Sequence, residues 1–243
     1  MPRPSGMGSL SLAVWIEMKK AQGLGRSWKY LTTCEKHHLR MITIIIGAIR
    51  ATEIEINDQV RKHEIIADAI KMVAQFRADW VGLGRSRRMV GFTHRGEFEI
   101  DIKRDLAPGS HIHETLGSIG CNTSPLGAGE RILVIHVHLV LDATAVADAG
   151  DVDGEMWTNK VRDIMLTTWP GTRRTQAKAL YAKQTVLVAV RKIYGYCKKR
   201  RYEYSTGGYG DVPTKYVAPY EWIWRRLLIK IYASTKTEFR SKK

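Results

Sequence analysis

The sequence predicts an α+β fold: a central antiparallel sheet of the ferredoxin/RRM-like split βαβ type, with helices mainly on one face. Three observations point there. Short apolar stretches rich in β-branched residues alternate with longer segments whose apolar residues recur at helical spacing. One strand pair is joined by a connection with no crossover helix, which places strands side by side in an α+β sheet. Finally, 243 residues that are 44% hydrophobic and include 7 Trp suffice for one sizeable core, or one core with a smaller appendage.

The elements follow in order. Residues 41–49, "MITIIIGAI", are too short for a typical helix and read as a buried strand. In "NDQVRKHEIIADAIKMVAQFRADW" the residues Val60, Ile65, Ile66, Ala69, Ile70, Val73, Phe76 and Trp80 repeat at helical spacing, with Asn57 or Asp58 as N-cap. "GLGRSRR" then turns the chain into "MVGFTHRGEFEIDI", which ends as a strand. Residues 105–130 are rich in Gly, Ser and Pro and read as a long connection. The strand "ERILVIHVHLVLDA" follows, then an acidic loop and the helix "EMWTNKVRDIMLTTW", which Pro170 ends. "AKQTVLVAVRKIYGYCKKRRYEY" opens in a strand-like way and continues with alternating aromatic and basic residues. "YEWIWRRLLIKIY" closes the chain as an amphipathic helix.

Charge narrows the partner. Residues 1–153 carry 19 Lys/Arg against 18 Asp/Glu, whereas residues 154–243 carry 20 against 6. Confining nearly all of the net +15 to one part of the chain suggests a groove for a polyanion, nucleic acid above all. The alternative is a solvated basic face. No apolar run approaches the roughly 18–20 residues of a membrane span, and the N-terminal segment reads as neither signal peptide nor anchor. Cys34, Cys121 and Cys197 are odd in number and widely spaced. They predict no disulfide framework and fit a reducing cytosol.

The chemistry concentrates in "ERILVIHVHLVLDA". His136 and His138 interrupt an apolar strand, and a buried imidazole without a partner costs roughly 1–3 kcal/mol. Two positions apart, they project from the same face, while Ile135, Val137 and Leu139 face the other way. Two imidazoles so placed can share a divalent ion, or they are core histidines bonded to backbone or carboxylates. "GEFEIDI" offers Glu97, Glu99 and Asp101, also on one strand face. If that strand neighbours the histidine strand, one of these carboxylates completes a site of two His and one carboxylate, suited to Mg or Mn acting on phosphate. The other reading is an exposed acidic face. His111 and His113 repeat the spacing but lie in the Gly/Pro-rich connection and read as loop. His37 and His38 are adjacent and would point apart in a strand. "RKIYGYCKKRRY" supplies tyrosines among cations, which favour phenolate; stacking on nucleic acid without covalent chemistry is the alternative.

"ILVIHVHLVLDA", followed about sixty residues later by "YCKK", resembles the HUH endonucleases, named for His-hydrophobic-His and a Tyr-x-x-Lys. More closely it resembles the rolling-circle replication initiators of small plasmids. Their hydrophobic-Thr strand motif is matched through Thr43 in "MITII", and their Gly-to-Glu strand motif through Gly91 and Glu97 in "GFTHRGE". The matches span residues 41–199. The resemblance implies an N-terminal extension packing on the core (1–40), a catalytic domain (41–202) and a basic C-terminal helical subdomain (203–243).

It further implies nicking and strand transfer on single-stranded DNA or an origin hairpin, through a 5′-phosphotyrosine link. A Mg or Mn ion would be held by His136, His138 and Glu97; Glu99 stands beside Glu97 as the other carboxylate candidate from the strand pattern. Tyr196 would be the nucleophile, with Tyr194 its competitor, and Lys199 would position it or neutralise charge. Lys192, Lys198, Arg200, Arg201, Arg225 and Arg226 would bind DNA, with Trp222 and Trp224 stacking on it. No Gly-rich phosphate loop is present, so a host helicase is the expected partner in unwinding. The setting implied is a prokaryotic cytoplasm, on a plasmid or mobile element, with no membrane partner. Two other readings stand beside this one: a single-strand transposase or relaxase of the same superfamily, and a non-enzymatic basic nucleic-acid-binding α+β domain with structural histidines.

Overall fold

The computed structural model describes residues 26–85, 93–146, 154–180, 183–198, 221–235 and 238–240. Its sheet consists of β1 (Leu39–Thr52), β2 (Thr93–Lys103), β3 (Glu130–Asp142), β4 (Thr175–Ala179) and β5 (Glu238–Arg240). The helices are α1 (Glu53–Asn57), α2 (Gln59–Arg85), α3 (His111–Ser118), α4 (Glu155–Thr168), α5 (Val186–Lys198) and α6 (Glu221–Ser234). A helical turn at Arg26–Lys29 and 3-10 turns at Tyr30–Thr33 and Lys36–His38 precede β1.

The strand order is β4-β1-β3-β2-β5, and all neighbours are antiparallel. β1 and β2 therefore run the same way with β3 between them, and β3 and β4 do the same around β1. That is the split βαβ arrangement the sequence predicts, with α1 and α2 in the first crossover and α4 in the second.

Directly opposed residues of antiparallel strands share a face. One face presents Ile42, Ile44, Phe98, Ile100, Leu133, Ile135, Val137 and Leu139, and α1, α2, α4 and α6 cover it in one continuous core. On α2 the buried residues are Ile65, Ala69, Val73, Phe76, Trp80 and Leu83, the helical stripe expected from the sequence. Asp58 accepts from Arg61 N–H at 2.8 Å and so caps that helix. Phe76, Trp80 and Trp169 stack with ring centroids 5.0–5.9 Å apart.

The opposite face carries the histidines. Its two ends are covered separately. Around Val140, Met41 and Leu39 it packs against Trp28 and Leu31 of the N-terminal turns and against Ala189, Val190, Ile193 and Tyr194 of α5. Around Val134, Ile45 and Ala48 it packs against Leu116 of α3 and Leu106. The described N-terminal turns thus pack against this face of the sheet.

Several elements differ from expectation. The 105–130 connection contains α3, so His111 and His113 lie on a helix, capped by Ser110, whose hydroxyl accepts from His113 N–H at 3.4 Å. α2 continues through Gly82 and Gly84 to Arg85 because Leu83 still reaches the core. Val186 to Val188, expected as a strand, begin α5 instead. There the burial of Ala189, Val190, Ile193 and Tyr194 at helical spacing outweighs local β-propensity. β4, "TQAKA", is a polar edge strand with no apolar alternation to announce it; only its pairing with β1 makes it a strand. α6 does not form a core of its own: Trp224, Leu227, Leu228, Ile231 and Tyr232 join the main one. Tyr232 Oη also accepts from Ile100 N–H at 2.8 Å, which satisfies the edge of β2 beyond its short pairing with β5.

Two local devices hold the strands in register. In β1 the pairing shifts between Ile45 and Gly47, leaving Ile46 as a bulge. Arg174 stabilises it, donating from Nε to Ile45 O at 3.0 Å and from Nη2 to Ile46 O at 3.2 Å, and accepting from Ile45 N–H at 3.0 Å. The bulge keeps Thr43 and Ile45 on the histidine face and returns Ile49 to the main core. In β2, a Cβ on Gly96 would stand 2.0 Å from His138 O and 2.5 Å from Leu139 Cδ2.

Gly96→Ala must therefore push β2 off β3 beside His138, and a loss of roughly 1–3 kcal/mol is expected, read as a lower urea midpoint. A second prediction concerns Glu130, which pairs with Arg50 through Nε–Oε1 at 2.8 Å and Nη2–Oε2 at 2.6 Å and accepts from Gly127 N–H at 2.8 Å. These bonds, from Arg50 first, hold its carboxyl below the ordinary range. A depressed folded value stabilises above the unfolded value of about 4.3 and is lost as pH falls through the folded one. Glu130→Gln should thus melt below wild type at neutral pH, and the difference should close in acid.

Candidate metal centre

β3 lies between β1 and β2, so both neighbours face its histidines. Across β2, Glu97 opposes His138 and Glu99 opposes His136. Across β1, Thr43 opposes His138. Three side chains converge: His136 Nε2 is 3.3 Å and His138 Nε2 3.2 Å from the same Glu99 Oε2. The imidazole centroids are 4.6 Å apart at 75°. One donor atom from each of Glu99, His136 and His138 lies within 4.8 Å of the others. Thr43 Oγ1 is 3.0 Å from His138 Nδ1. When Nδ1–H donates to that hydroxyl, Nε2 is left as the lone-pair nitrogen for a cation shared with Glu99, the second contact that orients a metal-ligating histidine.

The group is nearly sealed: Glu99, His136 and His138 are 3%, 7% and 3% exposed. Burial opposes ionisation of Glu99, but hydrogen bonds from His136 and His138 outweigh it and hold the carboxyl well below its usual range. For His136, burial is again the largest influence, yet Glu99 and Asp101 together lift its value. His138 goes the other way, because burial outweighs its bond to Glu99. Glu99 is therefore a buried carboxylate that both imidazoles face, a donor set that a divalent ion could share. Two imidazole nitrogens with one carboxylate oxygen fit such an ion, and rank Mn ahead of the oxygen-seeking Mg.

The other expected site residues fall as follows. Glu97 is 2% exposed and lies on the same face, but it stands outside the converging group. Asp101 faces Val134, one row beyond His136, and accepts from Lys103 Nζ at 3.1 Å. Tyr194 is 5% exposed, and its ring meets Trp28 edge-on at 5.2 Å. Tyr196 and Lys198 lie in α5, with side chains outside the described residues, and Lys199, Arg200, Arg201 and Gly91 also fall outside them. Lys192 is exposed on α5.

Arg225 is half-buried and Arg226 exposed, but α6 packs on the sheet face opposite the histidines. Trp224 is fully buried in that core, which corrects the expected stacking role, and the side chain of Trp222 is not among those described. One residue escaped sequence reasoning. Arg95 is 5% exposed on the histidine face, its guanidinium 5.0 Å from the Tyr30 ring. The period-2 pattern that singled out Glu97 and Glu99 includes it.

No protein-family model, curated protein or solved structure matches the chain. Thr43→Val keeps the side-chain shape and removes the hydroxyl from His138 Nδ1. It should leave the fold intact and weaken Mn binding about 10-fold or more, the usual scale for losing such an orienting contact, measured by titration calorimetry.

Proposed function

We propose that this protein is a metal-dependent enzyme that nicks single-stranded DNA and transfers the strand, in the manner of the HUH rolling-circle initiators. The observation that carries the reading is convergence on one sheet face. Glu99, His136, His138 and Thr43 share that face, and α5, the helix bearing the Tyr-x-x-Lys tyrosine Tyr196, packs on it through Ile193 and Tyr194. Val140, in the apolar cluster beneath α5, is two residues from His138, a spacing of about 7 Å along the strand.

Glu99, His136 and His138 would hold the ion, with Mn favoured over Mg by their chemistry. When bound, it supplies positive charge to a non-bridging oxygen of the scissile phosphate. Thr43 orients His138. Tyr196 Oη attacks phosphorus and forms the tyrosine–phosphate ester. The bond from phosphorus to the 3′ oxygen breaks, and the phenol's proton ends on that oxygen as a free 3′-hydroxyl. Tyr194 is the weaker candidate nucleophile, since its ring is packed against Trp28. Lys199 would neutralise charge on the attacked phosphate. The excess of cations after residue 153 supports a polyanionic substrate, with Lys192, Lys198, Arg200 and Arg201 near the tyrosine in sequence. A plasmid or mobile-element setting and a helicase partner belong to the same reading, and transposition or conjugative transfer would use the same chemistry.

One observation favours a second reading. The near-complete burial of Glu99, His136 and His138 suits a closed structural cluster in a non-enzymatic basic DNA-binding domain. The two readings differ in a covalent product. With Mn and end-labelled hairpin DNA that includes the protein's own origin, wild type and Tyr194→Phe should give an SDS-resistant protein–DNA adduct, and Tyr196→Phe none. Glu99→Gln should form it on the order of 100-fold more slowly, the scale of losing one transition-state stabiliser. Salt-sensitive DNA binding with no adduct from wild type selects the binding domain.

A further inference from the structure

A second cluster of ligand-bearing side chains lies away from the histidine row. Glu35, His37 and His38 each place one donor atom within 4.8 Å of the others. They sit on a tight turn in which His38 N–H donates to Glu35 O at 3.0 Å. The turn is anchored on both sides: Ala143 N–H donates to His38 O at 3.0 Å, and Arg40 Nη1 donates to His37 O at 2.8 Å. Arg40 is 4% exposed, its guanidinium 4.9 Å from the ring of Trp157 on α4. The backbone carrying the three donors is thus fixed before any ligand arrives, which lowers the ordering cost of binding.

The side chains are already gathered. Glu35 Oε2 is 3.3 Å from His37 Nε2, and the two imidazole centroids are 4.1 Å apart at 60°. A further observation points to a ligand: His38 Nδ1 is buried and has no hydrogen-bond partner among the described residues. Leaving such an atom unsatisfied costs about 1–3 kcal/mol. Access is open from the other side, because the side chains of Glu35 and His37 are 68% and 38% exposed. From His38 to Thr43 the chain advances five residues, on the order of 15 Å in extended form, so an ion here is distinct from one at Glu99.

We propose that Glu35, His37 and His38 form a second, solvent-facing site for a borderline transition-metal ion of the Zn²⁺ class. Two imidazole nitrogens and a carboxylate oxygen suit that class, and water completes the coordination shell. Through His38 O and Ala143 N–H the turn joins the start of β1 to the end of β3, and through Arg40 it meets α4. A bound ion braces this corner, independently of any DNA chemistry at the histidine row.

The test uses the full chain, stripped with EDTA and desalted, then loaded with Zn²⁺ and measured for bound metal, with Co²⁺ absorption reporting the ligand set. Circular dichroism checks each variant's fold. Wild type is expected to retain one equivalent more than His37→Ala, and Glu35→Gln, altered at an exposed side chain, to hold that equivalent at least 10-fold more weakly. Glu99→Gln should keep it, and Zn²⁺ should raise the melting temperature of wild type more than that of His37→Ala. The proposal is overturned if His37→Ala and Glu35→Gln bind as much Zn²⁺ as wild type with equal affinity. It is equally overturned if all bound Zn²⁺ disappears with Glu99→Gln.

Discussion

Glu99 carries a carboxylate into the middle of a five-stranded sheet, and its compensation comes from two imidazoles on the neighbouring strand. A charge buried without such compensation costs several kcal/mol, so the register of β2 on β3 is energetically enforced. A slip of β2 by one residue would turn Glu99 into the apolar core and leave His136 on the opposite face without it. The pairing Glu99 opposite His136, and Glu97 opposite His138, is therefore as much a stability requirement as a site geometry.

The surrounding structure protects that register. Gly96 lets the β2 backbone approach His138 O where any side chain would collide. On the other flank, the Ile46 bulge and its Arg174 bonds keep Thr43 in place against His138 Nδ1 without sacrificing the apolar side of β1. The histidine row lies between two apolar clusters, one under α5 and the N-terminal turns and one under α3. Those clusters exclude water from the row, which strengthens every electrostatic interaction within it.

A comparable logic operates at the start of β1. There the donors are held by backbone bonds and not by a sheet, and they remain partly in water. An ion at such a position stabilises the corner where β1, the end of β3 and α4 meet. The two candidate centres thus differ in kind: one is sealed among strands, the other is open on a turn.

The sequence by itself determined the features that follow from short-range periodicity. Alternation put His136 and His138 on one face and Ile135, Val137 and Leu139 on the other. The 3.6-residue repeat of Ile65, Ala69, Val73, Phe76 and Trp80 marked α2, and the succession of these patterns implied a split βαβ sheet. Only the tertiary structure decided what depends on distant partners. Period 2 offered Glu97, Glu99 and Asp101 alike; the pairing of β2 with β3 set Glu97 and Glu99 opposite the histidines, and side-chain packing brought Glu99 to both imidazoles. Residues 186–188 favoured a strand locally, yet burial of Ala189, Val190 and Ile193 against Trp28, Leu39 and Val140 made the segment helical. Trp224 read as a surface aromatic among arginines, and the docking of α6 buried it. β4 had no local signal, because an edge strand of polar residues exists only through the neighbour that pairs with it. Local sterics set which way neighbouring side chains point along a chain; which strands and helices meet is settled by apolar burial and hydrogen-bond satisfaction across the whole molecule.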